Sequence, residues 1–225
     1  MNLELFKHTH PYEPFLFPEA TKLIVGTLPP PRFTTGELKL EDVDFCYGSC
    51  NGMLWPILDR IFGLNLKFEN TAEAILQREH FLLKYKIGVC DIVHSAEREK
   101  IDASDLGMKN VVLRDLVGYL KDYPNVDTLL FTGGNSKNGP EYFFRRQLKE
   151  YGLQLDVVSD EVPRIHEVEI ENRRVKTVSL TAPSGAANRA IGSLQLYKDL
   201  KSENPSFTTF DFRVMQYRDF FEDLG

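Results

Sequence analysis

Cysteine is scarce in this chain, and the little there is does not pair. Cys46, Cys50 and Cys90 are three in number and form no Cys-x-x-Cys motif, which argues against a disulfide framework and against a closed zinc or iron–sulfur site. No apolar run approaches the ~20 residues needed to span a bilayer. Met1 to Lys7 lacks the basic-then-apolar pattern of a secretory signal. The expectation is therefore cytoplasmic residence with no membrane contact. An excess of positive charge is missing as well. The net charge of −6 is mild evidence against strong non-specific gripping of nucleic acid, although a local basic cleft stays compatible with it. Several familiar signatures are absent. There is no Gly-x-x-x-x-Gly-Lys-Ser/Thr loop, no dinucleotide fingerprint, no Gly-x-Ser-x-Gly elbow and no His-Glu-x-x-His. Nor is there an internal repeat or a low-complexity segment.

What is present is an alternation of apolar runs and amphipathic stretches. The 225 residues, 42% of them hydrophobic, suffice for one α/β domain with a sizeable core. Buried strands are predicted over Lys22–Leu28, Ile87–Val93 and Val126–Phe131, a further strand over Leu153–Val158, and a hairpin or two successive strands over His166–Ile170 and Val175–Leu180. Helices are predicted in the second half of Phe45–Gly63, with Gly63 as the stop, over Thr71–Lys84, Asn110–Tyr123 and Pro140–Tyr151, from about Ala190 to Lys201, and roughly from Thr208 to Asp223. Arg32–Asp44 reads as a polar loop and His94–Lys100 as a charged turn. The expected organisation is a single domain over residues 1–225. Residues 1–20 form a mostly irregular arm and residues 205–225 carry a C-terminal helix. The expected fold is a three-layer α/β/α sandwich with a central, mainly parallel four-stranded sheet.

The unusual residues lie in four loops that follow strands: Gly26–Pro31, Asp91–Glu97, Thr132–Gly139 and Thr181–Asn188. In a parallel sheet these loops share one edge, where open α/β sheets place their ligands. Gly26 permits close backbone approach, and the prolines fix an extended loop. Taken singly, each loop is more simply an ordinary capped turn; four on one edge shift the balance towards a site. Tyr47 can stack on a planar ligand, whereas Trp55 reads as core. His8 and His10 can ligate a metal but are more simply arm residues. Asp91 can orient water or serve as a capping or ion-paired carboxylate, and His94 is most simply a histidine of a surface turn.

In order along the chain, Gly26-Thr27-Leu28-Pro29, Tyr47-Gly48 through Trp55-Pro56, Gly88-Val89-Cys90-Asp91 through Arg98, Phe131-Thr132-Gly133, and Pro183-Ser184 with Ala187-Asn188 resemble the motifs of the uracil-DNA glycosylase superfamily. They are most similar to its hypoxanthine-DNA glycosylase-like branch, with its segments "YGHPRNRFWP", "GVWDVLASCER", "FNG" and "LPSTSPAN". The resemblance covers about Leu23 to Leu200. It implies hydrolysis of the N-glycosidic bond of a deaminated base in DNA, without metal or cofactor, by a monomer. It also implies base contacts from Gly26, Thr27, Leu28, Pro29, Tyr47, Asn51 and His94, with DNA-backbone contacts from Ser184, Gly185, Asn188 and Arg189. The departures bear on catalysis. Leu28 stands where most members carry a water-positioning Asp or Asn. Ala182 stands where a histidine often stabilises the leaving base. Leu54 replaces a stacking phenylalanine, and Thr132 replaces the asparagine of "FNG". The catalytic groups are then expected from other loops, with Asn110 as the carboxamide and Asp91 as the carboxylate. Two alternatives stand beside this reading. One is a nucleic-acid or nucleotide-binding protein of the same fold with impaired catalysis. The other is an α/β hydrolase-like enzyme of small nucleotides or nucleosides. A DNA enzyme further requires that Arg32, Arg98, Lys100, Lys137, Arg145, Arg146 and Arg189 partly cluster around the cleft.

Overall fold

A computed structural model of the chain describes residues 5–222. In chain order the elements are β1 (Phe6–Thr9), β2 (Lys22–Val25), α1 (Pro31–Thr35), α2 (Leu54–Phe62), α3 (Ala72–Lys84), β3 (Ile87–Val89), β4 (Val93–Arg98), β5 (Lys109–Leu113), α4 (Leu116–Asp122), β6 (Thr128–Phe131), α5 (Pro140–Glu150), β7 (Asp156–Ser159), β8 (Arg164–Ile170), β9 (Arg173–Ser179), α6 (Asn188–Ser193), α7 (Gln195–Glu203) and α8 (Thr209–Phe221). Single 3-10 turns lie at Asp105–Gly107 and Gly185–Ala187.

The main sheet has the order β3-β2-β6-β9-β8-β7. Its first four strands are mutually parallel, and β8 and β7 add antiparallel strands at one edge. The expected four-stranded sheet is thus corrected to six. The cause is the β8–β9 hairpin, whose two-residue turn holds Glu171 and Asn172 at φ 51° and 62°, the left-handed pair that favours tight hairpin closure. Side chains alternate across the sheet as the pleat requires. Leu23, Val25, Leu129, Phe131 and Val175 pack with α4 and α5 on one face. Ile24, Leu130 and Val178 pack with α2, α3 and α8 on the other. Each Leu or Phe removed from water in these two cores contributes roughly 1.5–3 kcal/mol.

The helices stop and start where their sequences direct. Thr71 accepts a hydrogen bond from the Ala74 amide to cap α3. Thr208 and Asp211 form a reciprocal capping box on α8. Gly63 ends α2 in the left-handed conformation at φ 61°.

A second, three-stranded antiparallel sheet has the order β1-β4-β5, and it overturns several expectations. Residues Phe6–Thr9 of the arm form a strand, while Met1–Glu4 lie outside the described residues. The expected charged turn after Asp91 is strand β4, and the expected helix from Asn110 begins only at Leu116. Strand pairing overrides local pattern here: β4 pairs with β1 on one side and with β5 on the other. Part of the expected polar loop is helix α1, with Pro31 at its first position. The C-terminal helix is described to Glu222, so the expected end at Asp223 lies outside the described residues. No helix among the described residues is long and apolar enough to cross a membrane.

Candidate functional site

Strands β3, β2, β6 and β9 run parallel, so the loops that follow them meet at one edge of the sheet. A cavity of about 350 Å³ opens there. Its floor is Gly26, whose amide donates to Asp91 Oδ1 at 2.7 Å. A Cβ on this residue would lie 2.8 Å from Asp91 Oδ1 and 2.9 Å from Thr132 Oγ1, and closer still to the Tyr47 hydroxyl. The hydrogen-bonded floor therefore requires that residue 26 carry no side chain.

Asp91 is the hub of this floor. Tyr47 donates its hydroxyl to Asp91 Oδ1 at 2.7 Å, and the same hydroxyl lies 3.2 Å from Thr132 Oγ1. Buried His10 places Nε2 3.0 Å from Asp91 Oδ2, with its Nδ1 against the Tyr12 backbone. The carboxylate thus has three donors, and both oxygens are engaged. Burial, followed by the nearby Asp91 charge, pushes the Tyr47 hydroxyl well above its ordinary pKa, so it remains a neutral donor.

The wall opposite is the loop from Phe45 to Met53. Gly48 is required inside it, because a Cβ there would collide with the Val43 and Phe45 carbonyls. Trp55 is buried as expected of core and donates Nε1–H to the Cys46 carbonyl at 2.8 Å. Buried Asp42 clamps the loop from outside. Its oxygens accept from Arg32 Nε and Nη2, each at 2.7 Å, and from the Cys50 amide at 2.8 Å. Burial alone would raise the Asp42 pKa, but the Arg32 guanidinium and the Cys50 and Lys39 amides outweigh it and hold the carboxyl below its usual range.

The loop after β9 closes the remaining side. The Met53 amide donates to the Pro183 carbonyl at 2.9 Å, joining the two walls. Helix α8 braces this loop from behind. Fully buried Arg213 donates to the Ala182 carbonyl (2.9 Å), the Ser184 carbonyl (2.7 Å) and Asn188 Oδ1 (3.0 Å), while the Tyr217 hydroxyl donates to the Thr181 carbonyl (2.9 Å).

A second cavity, of about 460 Å³, adjoins the first. The two share Gly26, Thr27, Asp105, Thr132 and Ala182 in their walls. Beneath the second cavity lies Glu141, fully buried, which accepts from Arg145 Nε (2.8 Å), Arg164 Nη2 (2.6 Å) and the Ser179 hydroxyl (2.5 Å). Burial alone would raise its pKa; the Ser179 hydroxyl and the two guanidinium groups outweigh it and lower it.

Gly26, Thr27, Leu28, Pro29, Tyr47, Asn51, Asp91 and Ser184 all line the first cavity. Five expected residues do not line it: His94, Asn110, Gly185, Asn188 and Arg189. Asn110 is exposed on β5, where its amide donates to Glu97 Oε2 at 2.5 Å. Its φ of 47° and the register shift between Ser95 and Glu97 mark it as a bulge residue, a place where asparagine tolerates the left-handed region. His94 is exposed on β4, and its carbonyl accepts from the His10 amide. Gly185, Asn188 and Arg189 are exposed just beyond Ser184, with Asn188 Oδ1 already accepting from Arg213 and Thr209. Of the expected cations, Arg32 lines the first cavity. Arg98 is buried under the small sheet, Arg145 is engaged by Glu141, and Lys100, Lys137, Arg146 and Arg189 line neither cavity, so the expected cations do not cluster around the cleft.

Asp105 and Arg213 were not legible as site residues, and His10 was legible only as an arm residue that could ligate a metal. His10 is 81 residues from Asp91 in sequence, and no local pattern links them. Asp105 sits in a segment of Ser, Asp and Gly that reads as plain loop. The Thr27 hydroxyl donates to Asp105 Oδ1 at 2.7 Å, and buried Asn138 donates to the Asp105 and Met108 carbonyls at 2.8 and 3.2 Å.

Comparison with solved structures finds the solution NMR structure of a "putative uracil DNA glycosylase" from Methanosarcina acetivorans. It matches with a TM-score of 0.51 and 17% sequence identity, over 92% of this chain and 98% of that one. The fold is uracil-DNA-glycosylase-like. The hypoxanthine branch is a finer assignment than this likeness reaches. No protein-family model and no curated protein matches the chain.

Proposed function

We propose that this protein binds DNA, takes one deaminated base out of the stack into the first cavity, and hydrolyses its N-glycosidic bond, with uracil or hypoxanthine as the base. The observation that carries the reading is the cavity itself. It is a recess of about 350 Å³ at the carboxyl ends of parallel strands, at the small end of the ~300–1,000 Å³ range of small-molecule sites. Its floor holds a glycine packed against the fixed polar groups of Tyr47, Asp91 and Thr132. An enzyme acting on a base in DNA must hold that base outside the helix, because the reacting bond is out of reach inside the stack. Gly26 lets backbone approach the base closely. Tyr47 and Met53 supply wall, and the Thr132 hydroxyl supplies a polar contact. The likeness of fold to a putative uracil DNA glycosylase supports the same reading.

Asp91 takes a positioning role in this scheme. With three donors on its two oxygens it holds Gly26, Tyr47 and His10 in place rather than addressing a water. One observation favours the reading of a binder with impaired catalysis: Leu28 and Ala182 bring no polar side-chain atom to the cavity they line. The test is a glycosylase assay on duplex and single-stranded oligonucleotides carrying uracil or hypoxanthine. An abasic product is expected from at least one of them. Selective binding of the modified oligonucleotide without cleavage would replace the enzymatic reading with the binding one. Neither binding nor cleavage would overturn both.

A further inference from the structure

Hydrolysis at a sugar carbon needs a group that can take a proton from water, and Leu28 cannot be that group. Asp91 is engaged on both oxygens by Gly26, Tyr47 and His10. Asn110 donates to Glu97 on a strand that lines neither cavity. One carboxylate remains in the shared wall of the two cavities. Resting on the base-excision reading above, we propose that Asp105 is the catalytic carboxylate, activating water against the sugar of a nucleotide whose base occupies the first cavity.

Three independent features support this. The first is position. Asp105 lines both cavities, so a base can lie on one side of it while water enters from the other. The second is availability. Oδ1 accepts from the Thr27 hydroxyl at 2.7 Å, while Oδ2 accepts no hydrogen bond from the described residues. One oxygen is thus oriented and the other is open. The third is rigidity. The carboxylate stands on a 3-10 turn, Asp105–Gly107, in an otherwise irregular loop. Asn138, buried and held at φ 64°, pins that turn through the Asp105 and Met108 carbonyls. A general base must be held at a fixed distance from its proton, and Thr27 and Asn138 provide that anchoring from two separate strand-end loops.

The step balances as follows. The C1′–N bond breaks, and its electron pair leaves on the base nitrogen. A water oxygen forms the new C1′–O bond and gives one proton to Asp105 Oδ2. The departing base takes up a proton from solvent, and the carboxylic acid returns its own to solvent. While the sugar carries cationic charge, the ionised carboxylate also stabilises it. Burial raises the Asp105 pKa; the Thr27 hydroxyl and the Arg98 charge oppose that rise, and the Asp91 charge adds to it. A base with a raised pKa is a stronger proton acceptor when ionised, and its protonation produces the acid limb of the rate profile.

The experiment measures single-turnover cleavage and oligonucleotide binding for the wild type, Asp105→Asn and Asp91→Asn across pH. Asparagine at position 105 can still accept from Thr27, so the fold is retained. Asp105→Asn is expected to lose roughly 10²–10⁴-fold in rate, to bind the modified oligonucleotide within about threefold of wild type, and to lose the acid limb. Asp91→Asn is expected to keep that limb in whatever activity survives. An active wild type together with an Asp105→Asn variant within threefold of it, or with the acid limb intact in that variant, would overturn the role of Asp105 alone. A wild type that cleaves nothing would overturn the base-excision reading, and the role of Asp105 with it.

Discussion

Substituting Gly26 by alanine adds one methyl group at the most crowded point of the site. The new Cβ would stand 2.8 Å from Asp91 Oδ1 and 2.9 Å from Thr132 Oγ1, against the 3.4 Å of ordinary contact, with the Tyr47 hydroxyl nearer still. Gly26 does not occupy the left-handed region, so backbone conformation adds no penalty and the cost is one of packing. Overfilling a packed site costs about 1–3 kcal/mol. Displacing the Tyr47 hydroxyl also weakens a hydrogen bond to a carboxylate, which contributes about 1.5–3 kcal/mol. The expected loss is about 2–5 kcal/mol, or on the order of 10 °C in Tm for a domain of this size. Tyr47→Phe removes the atom that collides first. The double variant should therefore be more stable than the sum of the two singles predicts, by about 1 kcal/mol or more. Urea denaturation of the four proteins measures the cycle. A Gly26→Ala variant within about 0.5 kcal/mol of wild type, or strict additivity with Tyr47→Phe, would refute the account of the cavity floor.

Glu141→Gln leaves half-buried Arg145 and Arg164 and the buried Ser179 hydroxyl without their shared anion; a loss of about 1.5–3 kcal/mol should appear as a lower urea midpoint at unchanged slope. His8 is fully buried beside Arg98, and burial followed by the Arg98 charge lowers its pKa from 6.5 to about 4. The folded state thus binds fewer protons than the unfolded one in this window, so His8 stabilises fully above pH 6.5 and loses up to about 3 kcal/mol as pH falls to 4. His8→Gln should flatten that slope, and an equally steep denaturation profile in the variant would exclude His8 as its source. Asn110→Ala places alanine at φ 47° and should cost about 1 kcal/mol, while Asn110→Gly should cost less; neither should change base excision, and a rate loss above tenfold in both would return Asn110 to the catalytic machinery.

The parallel strands were legible because they are buried on both faces. Leu23–Val25 and Leu129–Phe131 are unbroken apolar runs, and such runs announce themselves. The loops that follow them were legible through their glycines and prolines. The small sheet was not. His94-Ser95-Ala96-Glu97-Arg98 has the composition of a turn, and it becomes strand only because β1 and β5 pair with it. Val111, Leu113, Leu116, Val117 and Leu120 fit a helical period well enough to hide the break between β5 and α4. Within the site, Tyr47 and Asp91 stood out by type and loop. Asp105 did not, because what distinguishes it is the burial and anchoring supplied by Thr27 and Asn138, far away in sequence.

The bracing of the loop after β9 by Arg213, set against the seating of Asp91 by His10, has a consequence for how the protein is made. These two supports are about 200 residues apart, and each holds a part of the chain that is distant from it. The His10–Asp91 contact spans 81 residues and the Arg213–Ala182 contact 31, and each forms only after its own loop-closure entropy has been overcome. During translation the sheet strands can assemble before the segment carrying Arg213 emerges, but the recess between their loops cannot take its final shape. A chain released only as far as β9 therefore lacks the brace on the loop that follows, and the recess takes its final shape when α8 docks.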